Sequence, residues 1–335
     1  MAEDLKQHIG TLIQNITDFK NSESKTLQSH VQSPVEEIPK LANLIKAHAT
    51  KLGLVYKPPI QETTINACRT ETDIFCKNVV LLSSVINQLR AEVEKYSLVF
   101  VNELSYDFNS IVEAAVILLG ELNKLIDLEN DDGAQRLVGV GLVWESTDTI
   151  LNTVKGGNSG VLRNKLKSSN KVIVDALEEL QDWLENPIEG GDDNYDMDEL
   201  LGVEKVPTEL NDEKSINSDN EMAPEDVVQC ATKWERKISL LKLLVGLLNK
   251  SIPDSKYNIK FSKSLDAIDN NIKNLSEYVD DVIASLVYDS DVNSAEAAGA
   301  SLDKEVKGLV DIVKRINDEK KIKWVDSWAM KYKEN

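Results

Sequence analysis

The sequence predicts an all-α protein built from antiparallel up-down helical bundles: a four- or five-helix bundle followed by a C-terminal helical bundle. Three observations predict this fold class: apolar residues repeat at heptad spacing along several long segments, Gly and Pro number only 15 and 8, and alternating strand patterns are nearly absent. A heptad row keeps apolar side chains on one side of a helix, which must be buried against other helices. The two clearest rows are Val227, Ala231, Trp234, Ile238, Leu241, Val245, Leu248, Ile252, and Phe261, Leu265, Ile268, Ile272, Leu275, Val279, Val282, Leu286.

The first half of the chain is predicted to form helices joined by short connections, at about 2–21, 35–54, 62–95, 98–128, 134–154 and 161–185. Pro58-Pro59 ends the second helix, and the Gly-rich stretch 156–160 is predicted to form a flexible hairpin between the last two. The third and fourth helices carry long apolar rows: Ile65, Cys68, Thr72, Phe75, Val79, Leu82, Ile86, Leu89, Val93, and Val101, Leu104, Phe108, Ile111, Ala115, Leu118, Leu122, Leu125. Short connections favour antiparallel neighbours.

Composition changes sharply between Pro187 and Met222, where twelve Asp and Glu stand against two Lys. A segment of this kind buries too little apolar surface to offset its conformational entropy, so we expect it to be disordered. Four further helices are predicted at about 224–251, 258–287, 291–318 and 321–332. The predicted domains are therefore an N-terminal helical bundle (1–186), an acidic disordered linker (187–222) and a C-terminal helical bundle (223–335).

The net charge of −19 disfavours binding to nucleic acids or to anionic membranes, since both recruit an excess of Lys and Arg. Three cysteines, Cys68, Cys76 and Cys230, indicate reduced thiols rather than a disulfide framework. The first residues are polar and helical, unlike a secretory signal, and no segment reaches the roughly 20 apolar residues of a membrane span. We expect a protein of the cytoplasm and nucleus.

No pattern in the sequence points to catalysis. The histidines, His8, His30 and His48, all precede the long apolar rows and none follows a Glu by three residues, so we expect polar surface residues and no metal centre. Gly139 and Gly141 lack the third glycine and preceding strand of a dinucleotide-binding turn, which favours close helix packing at both. The predicted catalytic, cofactor-binding and metal-binding residues are therefore none, and no cofactor is expected.

Two features stand apart from the predicted core. Ser218 lies among acidic residues and is a candidate site for an acidophilic kinase, although a plain solubilising spacer is the simpler interpretation of the stretch. In the last helix Trp324, Trp328 and Tyr332 share one stripe beside several lysines. We expect this stripe to dock onto the C-terminal bundle; an amphipathic peptide for a partner or a membrane is the alternative.

Several segments resemble one known family. Gly141-Leu142-Val143-Trp144-Glu145, then Asn164, Lys165 and Asp175–Leu180, are similar to the cyclin-D-binding, GCIP-like family, and the likeness continues through 227–248 and Ser276–Asp281. The resemblance implies an all-helical, non-enzymatic protein that binds regulatory partners such as cyclin-like proteins or transcription regulators. It carries no catalytic residue to this chain. The family has also been described as helix-loop-helix with a zipper, but no basic stretch precedes a helix here.

Two functions follow as hypotheses. The first is a monomeric protein-binding regulator of the cell cycle or of transcription. The second is a cytoskeletal or adhesion-type adaptor, because bundles of the vinculin and talin sort share this heptad pattern and general architecture. An enzyme of unrecognised type is the least favoured of the three classes. Because the heptad rows break at short turns, we interpret them as the core of one chain and not as a dimerisation zipper.

Limited proteolysis tests the predicted linker. We expect the first cuts to fall between Pro187 and Met222, because disordered chain fits a protease active site more readily than a packed helix. Early cuts inside Glu62–Lys95 would contradict the predicted domain organisation. Mass spectrometry of the fragments locates the cuts.

Overall fold

The computed structural model describes residues 2–21, 29–92, 95–130, 133–189, 222–253 and 259–335. These residues form α1 (Ala2–Asn21), α2 (Pro34–Val55), α3 (Glu62–Ala91), α4 (Leu98–Leu125), α5 (Ala134–Glu185), α6 (Glu225–Ser251), α7 (Ile259–Val287), α8 (Val292–Ile316) and α9 (Glu319–Glu334). Within these ranges the only β-type pairing is an isolated antiparallel bridge between Ile188 and Met222. The predicted all-α class is confirmed.

Helix starts follow from local side-chain chemistry. The Ser97 hydroxyl accepts a hydrogen bond from the Phe100 backbone N–H at the start of α4. The Asp291 carboxylate accepts from two backbone N–H groups at the start of α8, and Asp318 does the same for Lys321 at the start of α9. Such caps satisfy backbone donors that have no partner inside the helix.

The Gly-rich stretch 156–160 is a kink and not the predicted flexible hairpin. Gly157 has φ 63° and ψ −166°, and it is the only residue with non-helical angles inside α5. A positive φ is easily reached by glycine, while Asn158 and Ser159 beside it are buried in helical conformation. Gly157 is therefore the point at which the regular helical path of α5 is interrupted.

Contacts divide the chain into two compact units: unit 1 is residues 1–162 with 254–266, and unit 2 is residues 163–253 with 267–335. The division falls inside α5. The second half of α5 groups with α6, because the Arg163 guanidinium donates to the Ile252 carbonyl and the Gln181 amide donates to Glu235 at 2.7 Å.

The two described ends of the acidic segment meet inside unit 2. The Ala223 N–H donates to the Pro187 carbonyl at 3.0 Å, and the Trp183 indole N–H donates to the Ile188 carbonyl at 3.1 Å. The described residues on either side of the segment, Pro187 and Ile188 before it and Met222 and Ala223 after it, therefore lie next to each other. Residues 190–221, with Ser218 among them, lie outside the described residues, so the expected disorder stays a prediction.

In unit 1 the five helices alternate in direction along the chain. Arg90 donates to Ser105 at 2.8 Å across the antiparallel pair α3–α4, and Lys46 pairs with Asp148 at 2.6 Å across α2–α5. Helices α1 and α3 run parallel, as the matched contacts Asp4–Arg69 and His8–Asp73 show, which is the relation expected of first and third helices in an up-down bundle.

Unit 2 repeats this alternation. Helices α6 and α8 run parallel, joined by Lys237 and Asp303 at 2.9 Å. Gly299 on α8 lies against the Trp234 indole of α6, and a Cβ at this position would come within 1.9 Å of the ring. Only glycine permits this approach, so Trp234 can fill the space between the two helices.

The heptad rows form the core. Every described side chain of the two clearest rows is buried, and the same holds for the rows of α3 and α4; Phe261 and Val93 lie outside the described side chains. In α9, the Trp328 indole donates to the Leu240 carbonyl at 2.8 Å and the Tyr332 hydroxyl donates to Asp303 at 2.8 Å. Docking of the tail onto the C-terminal helices is confirmed, although Trp324 stays 41% exposed.

Replacing Ile272 with Asp tests the buried row of α7. Ile272 is only 2% exposed, so Ile272→Asp places an unpaired charge in the core, and we expect a loss of more than about 4 kcal/mol in the free energy of unfolding. Thermal and urea denaturation measure it. The matched control is Ala267→Asp on the exposed side of the same helix. Equal melting temperatures for Ile272→Asp and the wild type would show that this row faces solvent.

Candidate protein-interaction groove

The histidines take different places in unit 1. His30 is exposed, and His8 lies 2.6 Å from Asp73 on a partly open surface. The surface interpretation is wrong for His48, which is 9% exposed and contacts Glu71 through Nδ1 at 2.7 Å. A carboxylate partner explains how this imidazole can be buried. Among the described residues, His, Cys, Asp and Glu form no group of three or more that could hold a metal ion.

The three cysteines are free and buried. Burial raises the pKa of Cys68 and of Cys230 to about 11, and that of Cys76 to about 12. Loss of hydration disfavours the thiolate, so these thiols stay protonated near neutral pH. They act as small apolar core residues.

The glycine pair of α5 divides between two environments. A Cβ on Gly139 would lie 3.1 Å from the Leu118 Cα of α4, so this glycine permits close helix packing, as predicted. Gly141 has open space where a Cβ would stand, so the prediction is wrong there. Gly141 lies on the outer face of the helix, where a glycine serves no packing purpose.

A surface groove of about 300 Å³ lies beside this close contact, between α4 and the first half of α5. Its residues come from one face of each helix, at steps of three and four. We call it the α4–α5 groove; it is lined by Tyr106, Asp107, Ser110, Glu113, Ala114, Ile117, Leu142, Glu145, Ser146 and Thr149.

The rim of the groove carries exposed apolar side chains. Tyr106 is 69% exposed and Ile117 is 47% exposed, both on α4. Leu142 of α5 faces them and is partly buried. From Tyr106 to Ile117 the rim runs for about 16 Å at the helical rise per residue. Partly buried Leu142 lies in the same lining, so the groove combines these apolar side chains along one surface.

The floor of the groove holds a buried carboxylate. Asp107 is 2% exposed, and its Oδ2 atom is buried without a hydrogen-bond partner. Burial raises the pKa of Asp107; a hydrogen bond with the Thr153 side chain opposes this rise and the nearby Glu103 adds to it. An unpartnered buried carboxylate oxygen is costly, and native proteins contain few of them.

Thr153 is the hydroxyl residue that hydrogen-bonds with Asp107, whereas the three hydroxyl groups that line the groove bond elsewhere. Ser110, Ser146 and Thr149 donate to carbonyl groups of their own helices, at Tyr106, Val143 and Glu145 respectively. The groove lining contains three carboxylates and, among these described residues, no Lys, Arg or His. The Oδ2 atom of Asp107 therefore lacks a hydrogen-bond donor, and a bound molecule could supply one.

A second groove of about 490 Å³ lies between α1 and α3. Its lining combines the apolar residues Leu12, Val80 and Leu81 with Lys77 and the carboxylate of Asp73. Asp73 already contacts His8. No buried polar atom without a partner has been found in this lining, so the α4–α5 groove is the stronger candidate for a binding site.

The sequence contains a signal for Asp107 that the heptad rows of apolar residues do not include. Asp107 follows Leu104 by three residues and precedes Ile111 by four, so it lies on the buried side of α4. A carboxylate at a core-facing position needs an explanation. Trp144 and Leu137 show the reverse case. They continue the helical apolar pattern of α5, which predicts burial, but they are 42% and 60% exposed.

The fold and groove thus describe an all-helical protein with a surface suited to another polypeptide. Comparison with known proteins agrees with the resemblance seen in the sequence. Residues 37–186, which include the whole α4–α5 groove, match the family described as "Grap2 and cyclin-D-interacting, N-terminal". This match confirms the resemblance for residues 37–186.

Two fungal relatives extend over most of the chain. An uncharacterized protein of Saccharomyces cerevisiae is 28% identical over 327 residues, which is 93% of this chain and 89% of the relative. An uncharacterized protein of Schizosaccharomyces pombe is 25% identical over 264 residues, 78% of this chain and 73% of the relative.

The described helices include none that is long and apolar enough to cross a membrane.

Replacing Asp107 with Asn tests whether the floor carboxylate is uncompensated. A carboxyl group whose pKa is raised in the folded state costs stability above that pKa, and the cost disappears below the ordinary value of 3.8. We therefore expect Asp107→Asn to raise the free energy of unfolding by about 1 kcal/mol at pH 7. The gain should shrink as the pH falls from the raised pKa toward 3.8.

Urea denaturation at a series of pH values measures this gain. The control is Asp175→Asn, which changes an exposed carboxylate on α5 and should shift the stability by less than about 0.5 kcal/mol. A destabilisation by Asp107→Asn at pH 7 would mean that the native carboxylate has a favourable partner.

Proposed function

We propose that this chain is a non-enzymatic regulatory protein that acts by binding other proteins. The observation that carries the proposal is the α4–α5 groove: exposed apolar side chains and a buried carboxylate with one unpartnered oxygen lie in the region that matches the Grap2 and cyclin-D-interacting family. The family description supports protein partners. A rigid pair of helices with an apolar rim is a suitable surface for a partner helix.

The finer form of the proposal is control of the cell cycle or of transcription, in the cytoplasm and nucleus. It rests on the family's association with cyclin-like proteins and regulators. The buried heptad rows support a monomer, because the surface that a zipper would use is already covered within the chain. The acidic segment would adjust binding, and phosphorylation of Ser218 would add further negative charge to it.

Affinity purification tests the protein-binding function. The full chain and a variant lacking residues 190–221 serve as baits, with quantitative mass spectrometry as the readout. We expect cyclin-like proteins or transcription regulators to be enriched with the full chain, and each enriched protein to bind the purified chain saturably. A failure of every enriched protein to bind directly would contradict the proposal.

Actin co-sedimentation separates this proposal from the adaptor hypothesis. Saturable binding to filaments at physiological salt would favour a cytoskeletal adaptor. Salt at this concentration screens interactions between exposed charges, so such binding would not result from unspecific electrostatic attraction. We expect the purified chain to stay in the supernatant. The variant lacking residues 190–221 is the control, since it removes much of the negative charge that would by itself oppose binding.

A further inference from the structure

We propose that the α4–α5 groove binds an amphipathic helix of a partner protein that places one Lys or Arg, flanked by apolar residues, over Asp107. This inference rests on the proposed protein-binding function and specifies the site and the chemistry of the partner. The partner's cation would meet the floor carboxylate, and its apolar residues would cover Tyr106, Ile117 and Leu142.

The shape of the groove favours a helix over a compact ligand. Its walls are two antiparallel helices that present Tyr106, Ser110, Glu113 and Ile117 on one side and Leu142 on the other. A surface of about 16 Å matches roughly three turns of a third helix. Helices that bind in such grooves present side chains spaced three and four residues apart.

Charge complementarity fixes the partner's central residue. The lining includes the carboxylates of Asp107 and Glu145 and contains no Lys, Arg or His, and the whole chain carries −19. Glu113 and Glu145 are exposed at the rim, while Asp107 is buried below them. A long Lys or Arg side chain can extend past the apolar rim and reach the floor with its charged end.

The unpartnered Oδ2 atom of Asp107 provides a specific binding partner for the cation. Thr153 hydrogen-bonds with Asp107, but the Oδ2 atom has no partner, and the hydroxyls of Ser110, Ser146 and Thr149 donate to carbonyl groups of their own helices. An ammonium or guanidinium group would donate to this oxygen in a charge-assisted hydrogen bond. Binding would then remove a cost that the free protein carries, and the raised pKa of Asp107 would return toward its ordinary range.

The test uses a display library of random helical peptides selected against the purified full chain. We expect the selected peptides to share apolar residues about one turn apart on either side of a Lys or Arg. One selected peptide is then synthesised with lysine or with norleucine at that position, which keeps the chain length and removes the charge. Fluorescence anisotropy gives the affinity of both peptides.

We expect the lysine peptide to bind the wild type at least about tenfold more tightly than the norleucine peptide. Asp107→Asn should abolish this difference between the peptides. Ile117→Asp should weaken both peptides by at least about tenfold, whereas Leu44→Asp should change neither. Leu44 is a matched control, because it is 45% exposed on α2 and does not line the groove.

The outcomes separate this inference from the proposed function. Selected peptides without a cation, equal binding to Ile117→Asp and the wild type, or no saturable binding by any peptide would overturn the groove assignment. A direct partner that still binds Asp107→Asn and Ile117→Asp with unchanged affinity would likewise overturn it, but would leave the protein-binding function in place. Self-association of the wild type, lost in Ile117→Asp, would show that a second copy occupies the groove and would also reject the proposal.

Discussion

Burial of the heptad rows within one chain is the constraint on which the rest of the structure depends. Each buried Leu, Ile or Val contributes about 1.5–3 kcal/mol relative to exposure, and every long helix carries such a row. In both units the rows are buried against neighbouring helices that alternate in direction. The approach of Gly299 to Trp234 is the tightest example. Because the apolar face of each helix is buried in the core, only its outer face remains available to a partner.

Polar contacts then fix which helices become neighbours. Asp4 and His8 of α1 contact Arg69 and Asp73 of α3 in the same order, so the two helices must run parallel. In unit 2 the stacked rings of Trp328 and Tyr332 hold α9 in place, with their polar atoms bonded to Leu240 and Asp303. These bonds add modest stability, but an apolar row alone would allow a helix to shift by a turn.

The sequence predicts the helices closely because their signals are local. Heptad rows, Pro58-Pro59 and the capping aspartates act within a few residues of the boundaries they set. The kink at Gly157 and the grouping of the second half of α5 with α6 are different, because both depend on contacts such as Arg163 to Ile252 that join residues far apart in the chain. No period in the sequence encodes them.

The candidate site was harder to predict for the same reason. The position of Asp107 on the buried side of α4 can be deduced from its spacing to Leu104 and Ile111, but the absence of a partner for Oδ2 depends on what α5 supplies opposite it. The exposure of Trp144 depends in turn on the rotation of α5 about its axis, which the packing of Gly139 on Leu118 determines. Local pattern gives the face of one helix, and only the neighbouring helix decides whether that face is core or surface.

The groove results from this packing and not from an added element. Gly139 lets α5 approach α4 closely at Leu118, and Tyr106 and Ile117 are exposed on the rim of the groove beside this contact. We expect a buried carboxylate with an unpartnered oxygen at the base of such a groove to lower the stability of the free protein, and an apolar or amide side chain of similar size would avoid this cost. A residue that opposes folding at a surface groove is best explained by a bound state that uses it, and a cation is the group that would do so.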